Sequence, residues 1–420
     1  SQFELWYHQS GTPKLQVSES FEHGMYTLKC RQIIPHAMDA SEQKPYSYPL
    51  KIALFDAEGK EVLEKVLIIS KEEEIFNFEG FSEQPVVSLN RDFSAPIIIE
   101  QAKPNFAFLM RHDTNSFVRY ESAQSFAVAT LEAMMQNKPI DRLYVEAFGS
   151  LLRTDVDLAY KALLLEFPTI ATLMQRQEVV DFEPLYEAKE RLQKHLATTY
   201  KEELLALYKA NNFPKNSEID SLSMGQRALK NGCLRLLSAL ESQDVIALAK
   251  VQYEESLSMS DRIVALDILE NTSAEFSQIA LADFYARYKE DTLVMNKYFS
   301  ILAASEREGT LDRVMALQND GAYDKKVPNL VRSLIGVFAR NYKHFHAKDG
   351  YGYAFVADKI IEIDVINAQM ASGLAGAFKI YKKMNSVNKL LMQKELKRIL
   401  EQKNLSKNCY EIVSKILQAS

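Results

Sequence analysis

From Phe3 to about Ile99, apolar and polar residues alternate with a period of two, and short turn signals interrupt the alternation every roughly 8–12 residues. Candidate strands include 63–70 and 73–78, and His23-Gly24 and Asp56-Ala57-Glu58-Gly59 are candidate hairpin turns. Six or seven short strands in a hundred residues predict a small sandwich of the fibronectin or immunoglobulin kind. Beyond Pro104 the prolines thin out and apolar residues recur at intervals of three and four. Candidate helices cover 121–136, 156–166, 183–210, 226–240, 261–270, 275–289, 293–304, 311–317, 359–383 and 387–401. Thr272 with Glu275, and Ser258 with Asp261, match capping boxes. Helices of this length joined by short polar breaks predict an all-α superhelix of stacked hairpins, HEAT- or armadillo-like but without a fixed period. The expected division is a β-sandwich domain over 1–102 and a helical domain over 103–420.

The stretch from Pro328 to Phe355 interrupts this regularity. Leu330, Val331, Leu334, Ile335 and Phe338 make one apolar helical face, with Arg332 off the stripe. His344, Phe345, His346, Asp349, Gly350, Tyr351, Gly352 and Tyr353 then crowd into ten residues, where the glycines permit a tight turn and the tyrosines can pin it to a core.

Composition narrows the function classes. A 420-residue chain is long enough for two or three domains. A net charge of −6 argues against a nucleic-acid surface, which needs clustered cations. Cys30, Cys233 and Cys409 lie far apart and spell neither a disulfide framework nor a CxxC site, which fits a reducing cytoplasm. No apolar run reaches the ~18 residues of a membrane helix, and no signal peptide opens the chain. The chain begins at Ser1 without an initiator Met, as a piece of something longer would.

Candidate chemistry is sparse. None of His8, His23, His36, His112, His195, His344 and His346 forms the i, i+4 pair of HExxH. His344, His346 and Asp349 come nearest to a metal cluster, although a buried His bonded to backbone is the commoner role for such residues. Gly350-Tyr-Gly352 lacks the preceding strand and third glycine of a nucleotide loop, and no GxSxG elbow occurs. The acidic run Glu72 to Glu74 reads as a solvated edge. Arg332, a lone cation one turn into a helix, can receive a carboxylate bidentately or serve in a structural ion pair.

Several ordered motifs nevertheless carry a resemblance. Trp6-Tyr7-His8-Gln9-Ser10-Gly11-Thr12-Pro13, Phe93-Ser94-Ala95-Pro96, Arg119 to Gln124, Leu293 to Phe299, and Arg332-Ser333-Leu334-Ile335-Gly336 through Phe345-His346 to Asp349-Gly350-Tyr351-Gly352-Tyr353 resemble, in order, segments of the bacterial aminopeptidase N family of zinc gluzincin metallopeptidases. The likeness spans essentially the whole chain and covers that family's C-terminal half. It implies a noncatalytic portion that walls the enclosed substrate cavity and gates access, with zinc, HExxH and GAMEN belonging to a catalytic domain that is not in this sequence. No catalytic residue, metal or cofactor is expected on this segment. By resemblance Arg332 and Gln369 line the cavity. In Asn367-Ala368-Gln369-Met370-Ala371-Ser372-Gly373 a glycine stands where the family has Arg, and Tyr120 and Tyr298 replace Trp. The implied partners are the N-terminal and catalytic domains of the same enzyme and peptide substrates, with neither nucleic acid nor membrane. The reading from a different class is a free-standing scaffold that binds a protein partner on a concave face.

Overall fold

The computed structural model describes residues 4–34 and 44–418. Ser1, Phe3 and His36, which enter the reading above, lie outside them.

Seven strands form in the N-terminal region: β1 (Lys14–Glu22), β2 (Met25–Ile33), β3 (Tyr48–Phe55), β4 (Glu61–Ile69), β5 (Glu73–Glu79), β6 (Val86–Leu89) and β7 (Ile98–Gln101). They make two sheets, β5-β2-β1-β7 and β4-β3-β6, antiparallel except for the parallel pairing of β1 with β7. Alternation decides which side chains go inward. Leu15, Val17, Tyr26, Leu28 and Cys30 from the first sheet meet Leu50, Ile52, Leu54, Leu67 and Ile69 from the second in one buried core. This is the expected sandwich.

Both predicted turns are present. His23 and Gly24 carry φ of 50° and 78°, the pair of left-handed residues that a two-residue type I′ hairpin requires between β1 and β2. At the β3–β4 turn the Asp56 carboxylate accepts from the Lys60 amide at 2.8 Å. The acidic run lies on and beside the edge strand β5, where Glu73 pairs with Lys29 at 2.9 Å and Glu72 with Arg31 at 3.7 Å.

The chain forms two compact units, Ser1–Pro168 and Thr169–Ser420. The change from strand to helix near residue 102 and the boundary in compactness are therefore different places. Within the first unit, buried Arg91 explains why the early helices join the sandwich. Its guanidinium reaches Glu64 at 2.6 Å and Glu61 at 3.0 Å on β4, and Thr114 Oγ1 at 2.5 Å and Asp113 at 3.4 Å beyond the helix Phe106–His112. One cation satisfies both layers.

The second unit is helical throughout, and consecutive helices pack on one another as hairpins. Most predicted helices are present, with four corrections. The segment 183–210 breaks at Tyr200 into Phe182–Thr199 and Lys201–Ala210. The segment 359–383 is three pieces: Tyr351–Asp364, Ala368–Ala375 and a 3-10 stretch, Gly376–Lys383. Asn367 restarts the second piece as an N-cap, accepting from the Met370 amide at 3.0 Å.

The two capping boxes do not form. Thr272 ends one helix by donating to the Ile268 carbonyl at 2.6 Å, and Ser273 caps the next. Asp261, expected to cap with Ser258, is instead fully buried against Lys230 at 2.8 Å. Asn231 Nδ2 donates to the same carboxylate at 2.8 Å. With both groups buried, drawing Asp261 away to a helix end would leave the Lys230 charge uncompensated.

Candidate functional site

The stretch that interrupts the helical pattern is built in two dissimilar parts. Pro328 opens the helix Pro328–Val331, where its missing N–H costs nothing. Residues Arg332–Gly336 continue as a π-turn, the wider winding that often marks functional positions. Leu330, Val331, Leu334, Ile335 and Phe338 are buried, as their spacing predicts, and Arg332 is exposed. Its guanidinium donates to Asn329 Oδ1 at 3.0 Å. Among the described residues it forms no ion pair.

The second part is a corner made for packing. Asn341 ties it to the preceding hairpin, its side-chain amide donating to the carbonyls of Ala303 at 3.0 Å and Ser305 at 2.8 Å. His346 stacks on Phe182 with ring centroids 4.1 Å apart, and its Nδ1 lies 2.8 Å from the Tyr353 hydroxyl. Asn388 Nδ2 donates to that hydroxyl and to the His346 carbonyl, each at 2.8 Å. The Tyr353 hydroxyl thus accepts from Asn388 and shares a second hydrogen bond with the imidazole. Burial pushes the His346 pKa down to about 3.

Gly350 adopts φ +75°, and Gly352 packs so closely that a Cβ there would sit 2.6 Å from the His344 carbonyl oxygen. The paired glycines thus make a turn and a close approach, with no phosphate loop. Asp349 accepts from the Tyr351 amide at 2.9 Å. His346 and Asp349 have these partners already, and no group of three or more His, Cys, Asp or Glu among the described residues is placed to hold a metal ion. The described residues of this corner therefore gather no ligand set for zinc.

Arg332 and Gln369, the two residues singled out by resemblance, both line a cavity of about 1360 Å³ within the second unit, and Gly373 lines it as well. A Cβ at Gly373 would meet nothing within 4 Å, so the missing side chain leaves open space. The reading from sequence did not find the rest of the cationic lining, which comprises Arg340, Lys379, Lys382, Lys383 and Lys415. Three of these lie on the 3-10 stretch that was expected to be continuous α-helix. No Asp or Glu lines the cavity among the described residues.

With this geometry in view, the comparisons are decisive for family. The family described as "Domain of unknown function (DUF3458) Ig-like fold" matches residues 11–102, and "Domain of unknown function (DUF3458_C) ARM repeats" matches residues 103–418. The chain belongs to this family. The DUF3458 pair of modules is homologous to the C-terminal half of aminopeptidase N. It is 31% identical to aminopeptidase N of Escherichia coli over 99% of this chain and 50% of that protein. Aminopeptidase N of Haemophilus influenzae is 27% identical over 100% of the chain and 50% of its own length. The crystal structure of Legionella pneumophila aminopeptidase A in complex with aspartic acid superposes with a TM-score of 0.88 at 28% identity, covering 100% of this chain and 50% of that one. The chain therefore spans about half the length of the relatives it matches, and the resemblance read from its motifs holds across both DUF3458 modules.

Proposed function

We propose that this chain acts as the noncatalytic C-terminal portion of a zinc-dependent aminopeptidase that removes N-terminal residues from peptides. Its modules, 1–102 and 103–420, attach to N-terminal and catalytic parts that carry the zinc, and the helical module walls the substrate cavity and gates entry to it. The observation that carries the reading is the large cavity of the second unit, lined by Arg332 and Gln369, in a chain that aligns end to end with half of each aminopeptidase. Neither HExxH nor GAMEN occurs in the sequence, so hydrolysis belongs to the catalytic part. This chain contributes enclosure, and enclosure sets which peptides reach the metal. The buried cysteines Cys30, Cys233 and Cys409 support a cytoplasmic setting; burial pushes the thiols of both Cys30 and Cys409 up to about 12.

The test has two arms. Assayed alone on aminoacyl chromogenic substrates, the chain should show neither turnover nor stoichiometric zinc. Mixed with the catalytic part of the same enzyme, it should form a complex and restore peptide cleavage. Turnover with bound zinc in the first arm overturns the reading, as does failure of two folded parts to associate or cooperate in the second.

A further inference from the structure

The charge of the cavity lining is one-sided. Acids outnumber bases in the chain, 56 to 50, yet the charged residues lining the cavity are Arg332, Arg340, Lys379, Lys382, Lys383 and Lys415. Lys415 is paired with Glu411 at 2.5 Å, and Lys383 donates to the Gln175 carbonyl at 2.8 Å. Arg332, Arg340, Lys379 and Lys382 have no carboxylate partner among the described residues.

The backbone concentrates this charge. In a 3-10 helix with three residues per turn, side chains at i and i+3 lie one above the other, so Lys379 and Lys382 project from the same side. The stretch is clamped at its end, where the Val180 amide donates to the Lys383 carbonyl at 2.6 Å and the Asn385 amide donates to the Val180 carbonyl at 3.2 Å. Neighbouring unpaired cations repel one another, and an anionic ligand relieves that repulsion while gaining their attraction. Between the cations lie apolar side chains, including Met174, Leu374, Ile412 and Ile416, which suit the body of a peptide better than a bare polyanion.

We infer that this cavity selects acidic peptides, its cations receiving side-chain and terminal carboxylates of the segment that enters it. The inference rests on the reading that the cavity takes peptide, and adds the substrate class.

The test measures binding of fluorescein-labelled alanine-based octapeptides carrying four Glu, none or four Lys to the 420-residue chain, by anisotropy at low and high salt. The acidic peptide is expected to bind tighter by roughly two- to five-fold for each added carboxylate at low salt, with the advantage shrinking as salt rises. Lys379→Glu with Lys382→Glu should reverse the order of preference. Lys379→Arg with Lys382→Arg should preserve it, and circular dichroism establishes that both variants fold. Equal binding of all three peptides overturns the selectivity and leaves a peptide cavity standing. No binding of any peptide overturns both readings. A single-stranded oligonucleotide of matching charge that binds as tightly as the acidic peptide overturns the assignment to peptides.

Discussion

The aromatic corner at 341–353 and the cavity wall formed by Arg332 and the 376–383 stretch share one unit and oppose each other physically. At the corner, most of the groups that look reactive in the sequence have been used for packing: His346 is buried and neutral, Tyr353 and Asn388 satisfy each other, and Gly352 makes room for backbone. At the wall, Arg332 and Lys379 stand exposed and Lys382 is half-buried, and none of the three has a carboxylate partner among the described residues. A dense group of His, Asp and Gly marked the structurally committed region, and plain lysines marked the one with cations left without carboxylate partners. Saturation of hydrogen-bonding capacity separates the two better than residue type does.

The largest effect that tests the contrast is expected at Gly352. Gly352→Ala drives a Cβ into the His344 and Phe345 carbonyl oxygens at 2.6 and 2.7 Å, and backbone cannot move aside cheaply. A loss on the order of 3 kcal/mol is expected in chemical denaturation; a change within ~0.5 kcal/mol means that the corner is looser than described.

Next in size is a pH effect. His346 has a folded pKa lowered to about 3 by burial, whereas an unfolded histidine titrates near ~6.5. Unfolding therefore takes up a proton between those values. The contribution of this residue is fully present above pH ~6.5 and is lost as pH falls towards 3, at about 1.4 kcal/mol per pH unit. His346→Gln should flatten the stability profile between pH ~6.5 and 5, above the range where most carboxylates titrate. An unchanged slope there assigns the acid sensitivity to other groups.

The smallest stability effect belongs to the wall. Gly373→Arg enters open space on the helix Ala368–Ala375, where replacing glycine gains roughly 0.5–1 kcal/mol of helix propensity, offset by repulsion from the cations already present. Its melting temperature should barely move, while its affinity for acidic peptides rises. A large destabilisation shows that the wall is as tightly packed as the corner.

Much of this was legible along the chain, and the failures are instructive. Period-two alternation and left-handed turn residues placed the sandwich, because inward-facing side chains and hairpin geometry are local properties. The buried stripe from Leu330 to Phe338 was also visible, whereas the π-turn within it was not. The capping boxes misled because Asp261 found a buried lysine 31 positions earlier, and no local rule sees that partner. Lys379 and Lys382 were missed because 359–383 carries an unbroken helical pattern. The signal that the helix restarts was present in Asn367, but the hydrogen bonds from Val180 that tie down the end of the 3-10 stretch come from about 200 positions earlier.

The sequence by itself determined the order of the two modules, the inward face of each strand and most helices, and, through its motifs, the family to which the chain belongs. These follow from periodicity and local turn chemistry, which act over a few residues. The tertiary structure decided which polar groups were consumed and which remained free. Whether a histidine ligates or packs, and whether a lysine pairs or waits for an anion, depends on neighbours brought together from distant parts of the chain.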